Sequence, residues 1–307
     1  MRFAFRTGYG LLAALPGLAA VPARAETPHL IDILHDRMCS NIVCAVAAVD
    51  RFFGDERLEE DADGTLLKLA LGVKGEDGEG VSLDTRLRLR IGLPQLQHRL
   101  QLVFDDDIET SRGPGRGALL TATQESNPDA ALRYFLIKEP KLRLSADAGV
   151  KTSDPFQVFG KLRGRYSFPF RAGELRLAES IRVFSDDGLD ETSELRWSQR
   201  LGEWLCSTAT SLRWAEYESG VTPGQAFSFY KDISGRRAYR VDLTGTWPEA
   251  PHVHRARYES SLTYRQLLYK RWFFLEAKAG FAFEETDRYE PAPLFGLLFE
   301  VFLGDLD

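Results

Sequence analysis

After Ala25 the sequence has no apolar run approaching the roughly 20 residues that a membrane-spanning helix needs. If the remaining chain crosses a membrane it must do so as a closed β-barrel, because hydrocarbon cannot satisfy the backbone groups of an open sheet. Positive charge is also short. With 39 Lys and Arg against 45 Asp and Glu the formal net charge is −6, and removal of Arg2, Arg6 and Arg24 would make it more negative, which argues against a general nucleic-acid binder. There are only 5 histidines and 3 cysteines. Gly113-Pro114-Gly115-Arg116-Gly117 is no phosphate loop, since it lacks the lysine and the strand-to-helix setting. What is present is ample: 44 % hydrophobic and 27 % charged residues supply material for a core, with no sign of disorder.

Residues 1–25 have the form of a secretory signal. Arg2 and Arg6 make a positive start, Gly8 to Ala20 is apolar apart from Pro16, and Ala23-Arg24-Ala25 is an A-x-A cleavage site before Glu26. The expectation is export, with cleavage after Ala25.

From residue 64 to 307 the dominant period is two. In Val81 to Leu93 the residues Val81, Leu83, Thr85, Leu87, Leu89, Ile91 and Leu93 alternate with Ser82, Asp84, Arg86, Arg88, Arg90 and Gly92, so a strand places every charge on one face whereas a helix would smear them. Leu67, Leu69, Leu71 and Val73 repeat the pattern before the turn-rich Gly75 to Gly80, which predicts a hairpin. Further strands are expected near Arg99–Asp106, Ala131–Glu139, Leu142–Lys151, Gln157–Phe168, Glu174–Ser185, Ser193–Leu201, Trp204–Ala215, Gln225–Asp232, Ala238–Trp247, His254–Gln266, Trp272–Glu284 and Pro293–Leu303. The total is about fourteen, with two more or two fewer allowed by boundary error. Short links, such as Glu139–Lys141 and Leu201–Glu203, interleave with longer or more acidic ones, such as Asp105–Asp129, Asp186–Thr192 and Pro248–Val253, as short periplasmic turns and long outer loops do.

These features predict an all-β fold: a closed antiparallel transmembrane β-barrel in an outer membrane, in contact with its lipid and lipopolysaccharide. A soluble barrel would show the same alternation with the faces exchanged. About fourteen strands enclose a lumen too wide for side chains to fill, and aromatics such as Tyr166, Phe168, Trp197, Trp214, Tyr239, Trp247, Tyr258, Tyr264, Phe273 and Phe283 share the apolar face near strand ends. Both favour apolar-out. Glu179 resists, falling in phase with Leu175, Leu177, Ile181 and Val183; either a bulge shifts the register there or the phase is wrong for half that strand.

Residues 26–63 stand apart. Leu30, Ile31, Leu34, Met38, Ile42, Val43, Ala45, Val46, Val49 and Phe52 are spaced helically before Gly54 and the acidic run Asp55 to Asp63, which predicts a periplasmic or lumen-plugging helix. Cys39 and Cys44 point apart on a regular helix, so a bridge between them needs a break in it. Cys206, alternating with Thr208 and Thr210, is expected to be a small apolar strand residue.

The expected lumen is lined by Arg86, Arg88, Arg90, Arg143, Lys161, Arg163, Arg165, Arg176, Arg182, Arg196, Arg200, Arg240, Arg255 and Arg257, balanced in part by Asp84, Asp147, Glu194, Asp242, Glu259, Glu276 and Glu300. A water-filled lumen of this kind favours small anionic solutes; pairing across it, or an inward fold of Asp105–Asp129, would close it. The other readings are a lipid hydrolase or acyltransferase and a closed structural or adhesive barrel. Among the histidines His29, His35, His98, His252 and His254, only the last two could face outward, and Ser260 and Ser261 are too far along an extended strand to pair with His254 within it. No catalytic site is assigned. Acidic loop clusters at Asp105-Asp106-Asp107, Asp186-Asp187 and Glu284-Glu285 with Asp287 fit solvated loops, so no metal and no cofactor is assigned either.

Arg51-Phe52-Phe53-Gly54-Asp55, the Arg-rich second strand running into Leu93-Pro94, and Trp272-Phe273-Phe274-Leu275-Glu276 with Pro291-Ala292-Pro293 resemble uncharacterised outer-membrane β-barrel proteins of Proteobacteria. The resemblance spans most of the chain after residue 25 and implies a barrel with no agreed activity to carry over. It also implies insertion by the barrel assembly machinery. Many such barrels end on an aromatic residue that this machinery reads; here Phe302 is followed by Leu303-Gly304-Asp305-Leu306-Asp307.

Overall fold

The computed structural model describes residues 52, 65–77, 80–93, 99–105, 129–152, 156–170, 173–218, 220–250, 253–254 and 256–304, all within one compact unit, Cys39–Asp307. The signal sequence, the helical segment apart from Phe52, Cys39, Cys44, His252, Arg255 and the Gly113–Gly117 stretch lie outside the described residues.

Fourteen strands close into one antiparallel barrel. In chain order they are β1 (Leu66–Glu76), β2 (Gly80–Leu93), β3 (Leu100–Asp105), β4 (Asp129–Lys138), β5 (Leu142–Lys151), β6 (Gln157–Phe170) and β7 (Gly173–Phe184). They continue as β8 (Gly188–Leu201), β9 (Trp204–Ala215), β10 (Gly220–Asp232) and β11 (Arg237–Thr246). A small hairpin of β12 (Glu249–Ala250) and β13 (Val253–His254) intervenes before β14 (Arg257–Tyr269), β15 (Phe273–Glu284) and β16 (Pro291–Gly304). Each barrel strand pairs with its sequence neighbours, β11 with β14 across the hairpin, and β1 closes on β16 from Leu66↔Gly304 to Glu76↔Leu294. Closure leaves no sheet edge unpaired.

The period-two pattern sets the two faces. Between β1 and β2, Leu67↔Leu89, Leu69↔Leu87 and Val73↔Leu83 meet on one face and Lys68↔Arg88 and Gly72↔Asp84 on the other. The ionic face is the inner one: Asp84, Arg90, Gln101, Arg133, Asp147, Arg182, Arg240 and Glu300 are all buried. The outer face is greasy, with Leu71 55 %, Val81 70 % and Val183 53 % exposed. A water-soluble barrel has the reverse arrangement, since apolar area left in water costs about 25 cal/mol per Å².

β7 pairs without interruption from Gly173 to Phe184 on both sides. Glu179 therefore stays in phase with Leu177 and Ile181 on the outer face, and neither of the two explanations offered by the pattern, a bulge or a wrong phase, applies. Register shifts occur elsewhere, between Phe135 and Ile137 on β4 and between Leu267 and Tyr269 on β14.

One end of the barrel holds the outer ends of β1 and β16 and the tight turns at 139–141, 202–203, 233–236 and 270–272; the other holds short turns at 77–79 and 185–187 together with the longest connection, 106–128. The turn after β10 shows how sequence fixes one of them. Asp232 Oδ1 accepts from the backbone N–H of Ser234 at 3.0 Å and of Gly235 at 2.8 Å, and Gly235 has φ +61°. Gly235→Val should cost about 1–2 kcal/mol, because a β-branched residue is strained there, and a urea titration of the folded barrel in vesicles reads it as a lower midpoint. At the same end Lys231 Nζ lies 2.9 Å from Glu203 and 5.5 Å from the Trp204 ring centroid, which holds the exposed Glu203 carboxyl below its ordinary value.

Candidate functional site: the barrel lumen

The inner face divides into two walls. On β11, β14, β15, β16 and β1 the cations Lys68, Arg240, Arg257, Arg265 and Lys278 each have a carboxylate beside them. Arg240 Nε donates to Asp242 at 2.6 Å, and Asp242 also accepts from Ser228 at 2.7 Å. Arg265 donates to Glu276 at 2.8 Å and forms an ion pair with Glu300, which Lys68 meets from β1 at 3.0 Å. Lys278 donates to Glu259 at 2.6 Å, and Arg257 reaches Glu76 at 2.8 Å as well as Glu284. Arg240 and Arg265 are 1 % and 0 % exposed. Charges this deeply buried are tolerated only when paired and hydrogen-bonded, so this wall is a solid ionic lattice.

The wall formed by β2 to β8 differs in composition. Arg86, Arg88 and Arg90 on β2, Arg133 on β4, Arg143 and Lys151 on β5, Lys161, Arg163 and Arg165 on β6, Arg176 and Arg182 on β7 and Arg196 on β8 share its inner face. Among the described residues its carboxylates are fewer than its cations: Asp84 holds Arg86 at 2.7 Å, Asp147 holds Arg133 at 2.8 Å, Asp190 holds Arg213 of β9 at 2.8 Å and Glu194 holds Arg196 at 3.0 Å, with Glu174 on β7 and, at register positions abreast of Arg88 and Lys151, Asp105 on β3 and Asp129 on β4. One cross-strand row runs Arg133, Asp147, Lys161, Arg182 over β4 to β7. Both oxygens of Asp147 already accept from Arg133, so Lys161 stands between a committed carboxylate and a second cation.

At the end that holds the tight turns the inner face becomes apolar. Leu205, Tyr230 and Ala238 form one buried inner cluster and Leu66, Phe274 and Phe302 another, and Phe52 packs against both. Phe52 meets the Phe274 ring edge to face at 5.8 Å, and the Arg265 guanidinium lies 4.6 Å from the centroid of that ring. A side chain touching inward residues of β1, β9, β10, β11, β15 and β16 lies inside the barrel.

Of the lumen residues expected from the pattern, Arg86, Arg88, Arg90, Arg143, Lys161, Arg163, Arg165, Arg176, Arg182, Arg196, Arg240, Arg257, Glu259 and Glu276 occupy inner-face positions of their strands, and Arg200 lies in phase with them at the exposed end of β8. Arg133, Arg213 and Arg265 belong with them beyond the expected residues, and Lys278, which the alternation places on the ionic face of its strand with Glu276, joins them. The same alternation marks them, since Arg265 falls in step with Arg257, Glu259 and Thr263. Cys206 is a free, half-buried thiol on the outer face of β9. Among the described residues no group of three or more His, Cys, Asp or Glu is placed to hold a metal ion.

No protein-family model and no curated protein matches the sequence. Solved structures do. A loop L8 deletion mutant of OmpT, an outer membrane protein of Vibrio cholerae, superposes with a TM-score of 0.52 at 10% identity, covering 78% of this chain and 98% of that one. The fold is that of an outer-membrane barrel. Weaker similarity extends to OmpT of Vibrio cholerae expressed in the outer membrane (TM-score 0.48, 11% identity, 78% and 97% covered) and to the outer membrane channel DcaP of Acinetobacter baumannii (TM-score 0.47, 7% identity, 78% and 96% covered).

Proposed function

We propose that the chain spans a Gram-negative outer membrane and passes small anionic solutes along the basic wall of its lumen. The observation that carries this reading is the inverted burial of the barrel: an ionic interior in which, among the described residues, cations outnumber carboxylates on β2 to β8, inside a greasy exterior. Hydrocarbon is the solvent that such an exterior matches, and strands of 10–14 residues on most of the wall are long enough to cross it when tilted. Aromatics collect toward both margins of the outer face, with Trp214, Tyr258 and Phe283 at one and Phe168, Trp204, Tyr239 and Phe273 at the other, as interfacial girdles do. The end with tight turns faces the periplasm, and the chain before β1 is a signal peptide followed by a periplasmic segment.

Lys161 and Arg163 set the selectivity in this account. A lumen wall with excess fixed positive charge lowers the energy of an anion in the passage and raises that of a cation, as rings of Arg and Lys do in anion pores. Purified barrel in planar bilayers under a KCl gradient should give a reversal potential on the anion side. Lys161→Glu with Arg163→Glu, which moves the wall by four charge units, should shift that potential toward the cation side. Absence of conductance steps from folded protein counts against a pore.

A further inference from the structure

The two walls of the lumen set their charges abreast by opposite rules. Between β14 and β15, Arg265 lies opposite Glu276 and Arg257 opposite Glu284. Between β5 and β6, Arg143 lies opposite Arg165, and between β6 and β7, Lys161 lies opposite Arg182. Like charges directly opposite on neighbouring strands repel and weaken the sheet that carries them.

These two like-charged pairs bracket Arg163. In the ladder it stands between Ser145 of β5 and Ser180 of β7, whose side chains are small and hydroxylated. Arg143, Arg165, Arg163, Lys161 and Arg182 thus occupy successive inner-face positions of adjoining strands. At roughly 3.3 Å per residue the patch is about 13 Å long from Lys161 to Arg165.

The carboxylates abreast of the patch are engaged elsewhere. Asp147, opposite Lys161, accepts from Arg133 through both oxygens, at 2.9 and 2.8 Å. Asp190, opposite Arg182, accepts from Arg213 at 2.8 and 3.2 Å. Among the described residues Lys161 makes no hydrogen bond and no ion pair, and its side chain is only half-buried, as is that of Arg163. Its ammonium is therefore open to the lumen.

A cation cluster that the fold holds together against repulsion is stabilised by an anion that meets several of its members at once. A doubly or triply charged oxyanion gains more from such contacts than chloride does, and the planar arginine fork matches carboxylate and phosphate oxygens. We infer that the patch centred on Lys161 and Arg163 is a binding site for small multiply charged oxyanions, polycarboxylate or phosphate, which it holds in preference to monovalent anions. The inference deepens the pore reading and rests on it for the route by which the solute reaches the patch and leaves.

The full barrel in lipid nanodiscs is titrated calorimetrically with citrate, pyrophosphate and gluconate at one ionic strength. Gluconate has about the size of citrate and a single charge. Saturable binding of citrate or pyrophosphate is expected, with gluconate at least about tenfold weaker, and the tighter of the two names the chemistry. Lys161→Gln and, separately, Arg163→Gln should each weaken that binding about tenfold, the loss of one charge-assisted contact. Without ligand, Lys161→Gln should withstand more heat than the parent, because a repulsion is removed, and should gain less heat resistance from added ligand. Equal effects of all three anions would reduce the patch to salt screening and overturn the inference. So would a Lys161→Gln barrel that loses heat resistance in the absence of ligand, since the chain itself would then supply the counter-charge. Planar-bilayer recording of the same preparations keeps the two readings apart. Binding without conductance steps upholds the site and removes the pore; conductance steps without preferential binding uphold the pore and remove the site.

Discussion

Replacing Arg265 with leucine is expected to destabilise the barrel by about 3–5 kcal/mol, the range for removing one partner from a buried ion pair. The guanidinium is fully buried, donates to Glu276 and pairs with Glu300. Without it Glu276 loses its ion-pair partner, and Glu300 is left with Lys68. The loss is one of leaving charge uncompensated rather than of deleting an attraction, so it has a specific rescue. Arg265→Leu combined with Glu276→Leu should recover much of the stability, because apolar groups of similar volume replace a buried ion pair at little cost while Lys68 still compensates Glu300. Urea unfolding in vesicles, followed by the gel mobility of unheated samples, measures both. A double variant as unstable as the single one would show that the Arg265 side chain acts by packing over Phe274 instead.

Phe52→Ala is expected to enlarge the single-channel conductance. Phe52 packs against inner residues on both sides of β14, from β9–β11 and from β15, β16 and β1, and on the proposed function it narrows the periplasmic mouth. Its removal opens that space and forfeits about 1.5 kcal/mol of apolar burial, a small loss beside the change in the conducting path. Ion selectivity should be kept, since Lys161 and Arg163 lie well up the opposite wall. Larger steps with the parent reversal potential support the assignment; unchanged steps place the conducting path away from Phe52. Together with Lys161→Glu and Arg163→Glu this separates a residue that sets pore width from residues that set pore charge.

Much of this was legible in the sequence because a strand repeats every two residues and a barrel must close. The alternation from Val81 to Leu93 gave the face of each side chain in β2, and the rise and fall of that pattern gave fourteen strands. Strand ends were less legible. Gly188 to Thr192 reads as an acidic loop, yet it extends β8, because Val183↔Leu189 and Ile181↔Glu191 continue the ladder beyond the apolar residues. Pro223 argues against a strand, yet β10 runs through it; pairing with β11 starts only at Gly224↔Thr246, so the missing N–H falls outside that ladder. Register is what a single sequence does not carry. That Asp147 faces Arg133 depends on the register of one hairpin, and that Glu300 meets both Lys68 and Arg265 depends on which residues come together from β1, β14 and β16. The contact between Phe52 and Phe274 is of the same kind, with no local pattern to announce it. Glu179 was the opposite case: its phase was correct, and the discord it caused marks a feature of the surface.

The central claim is that the greasy face points outward into lipid and the ionic face inward. Trp197, Trp204 and Trp214 lie on that outer face, so the direct measurement is tryptophan fluorescence of the protein folded into vesicles of brominated phosphatidylcholine. Bromine quenches only rings in contact with acyl chains. The account predicts strong quenching relative to unbrominated vesicles, removed in large part when these three residues are changed to phenylalanine. Emission that is indifferent to bromination would contradict it.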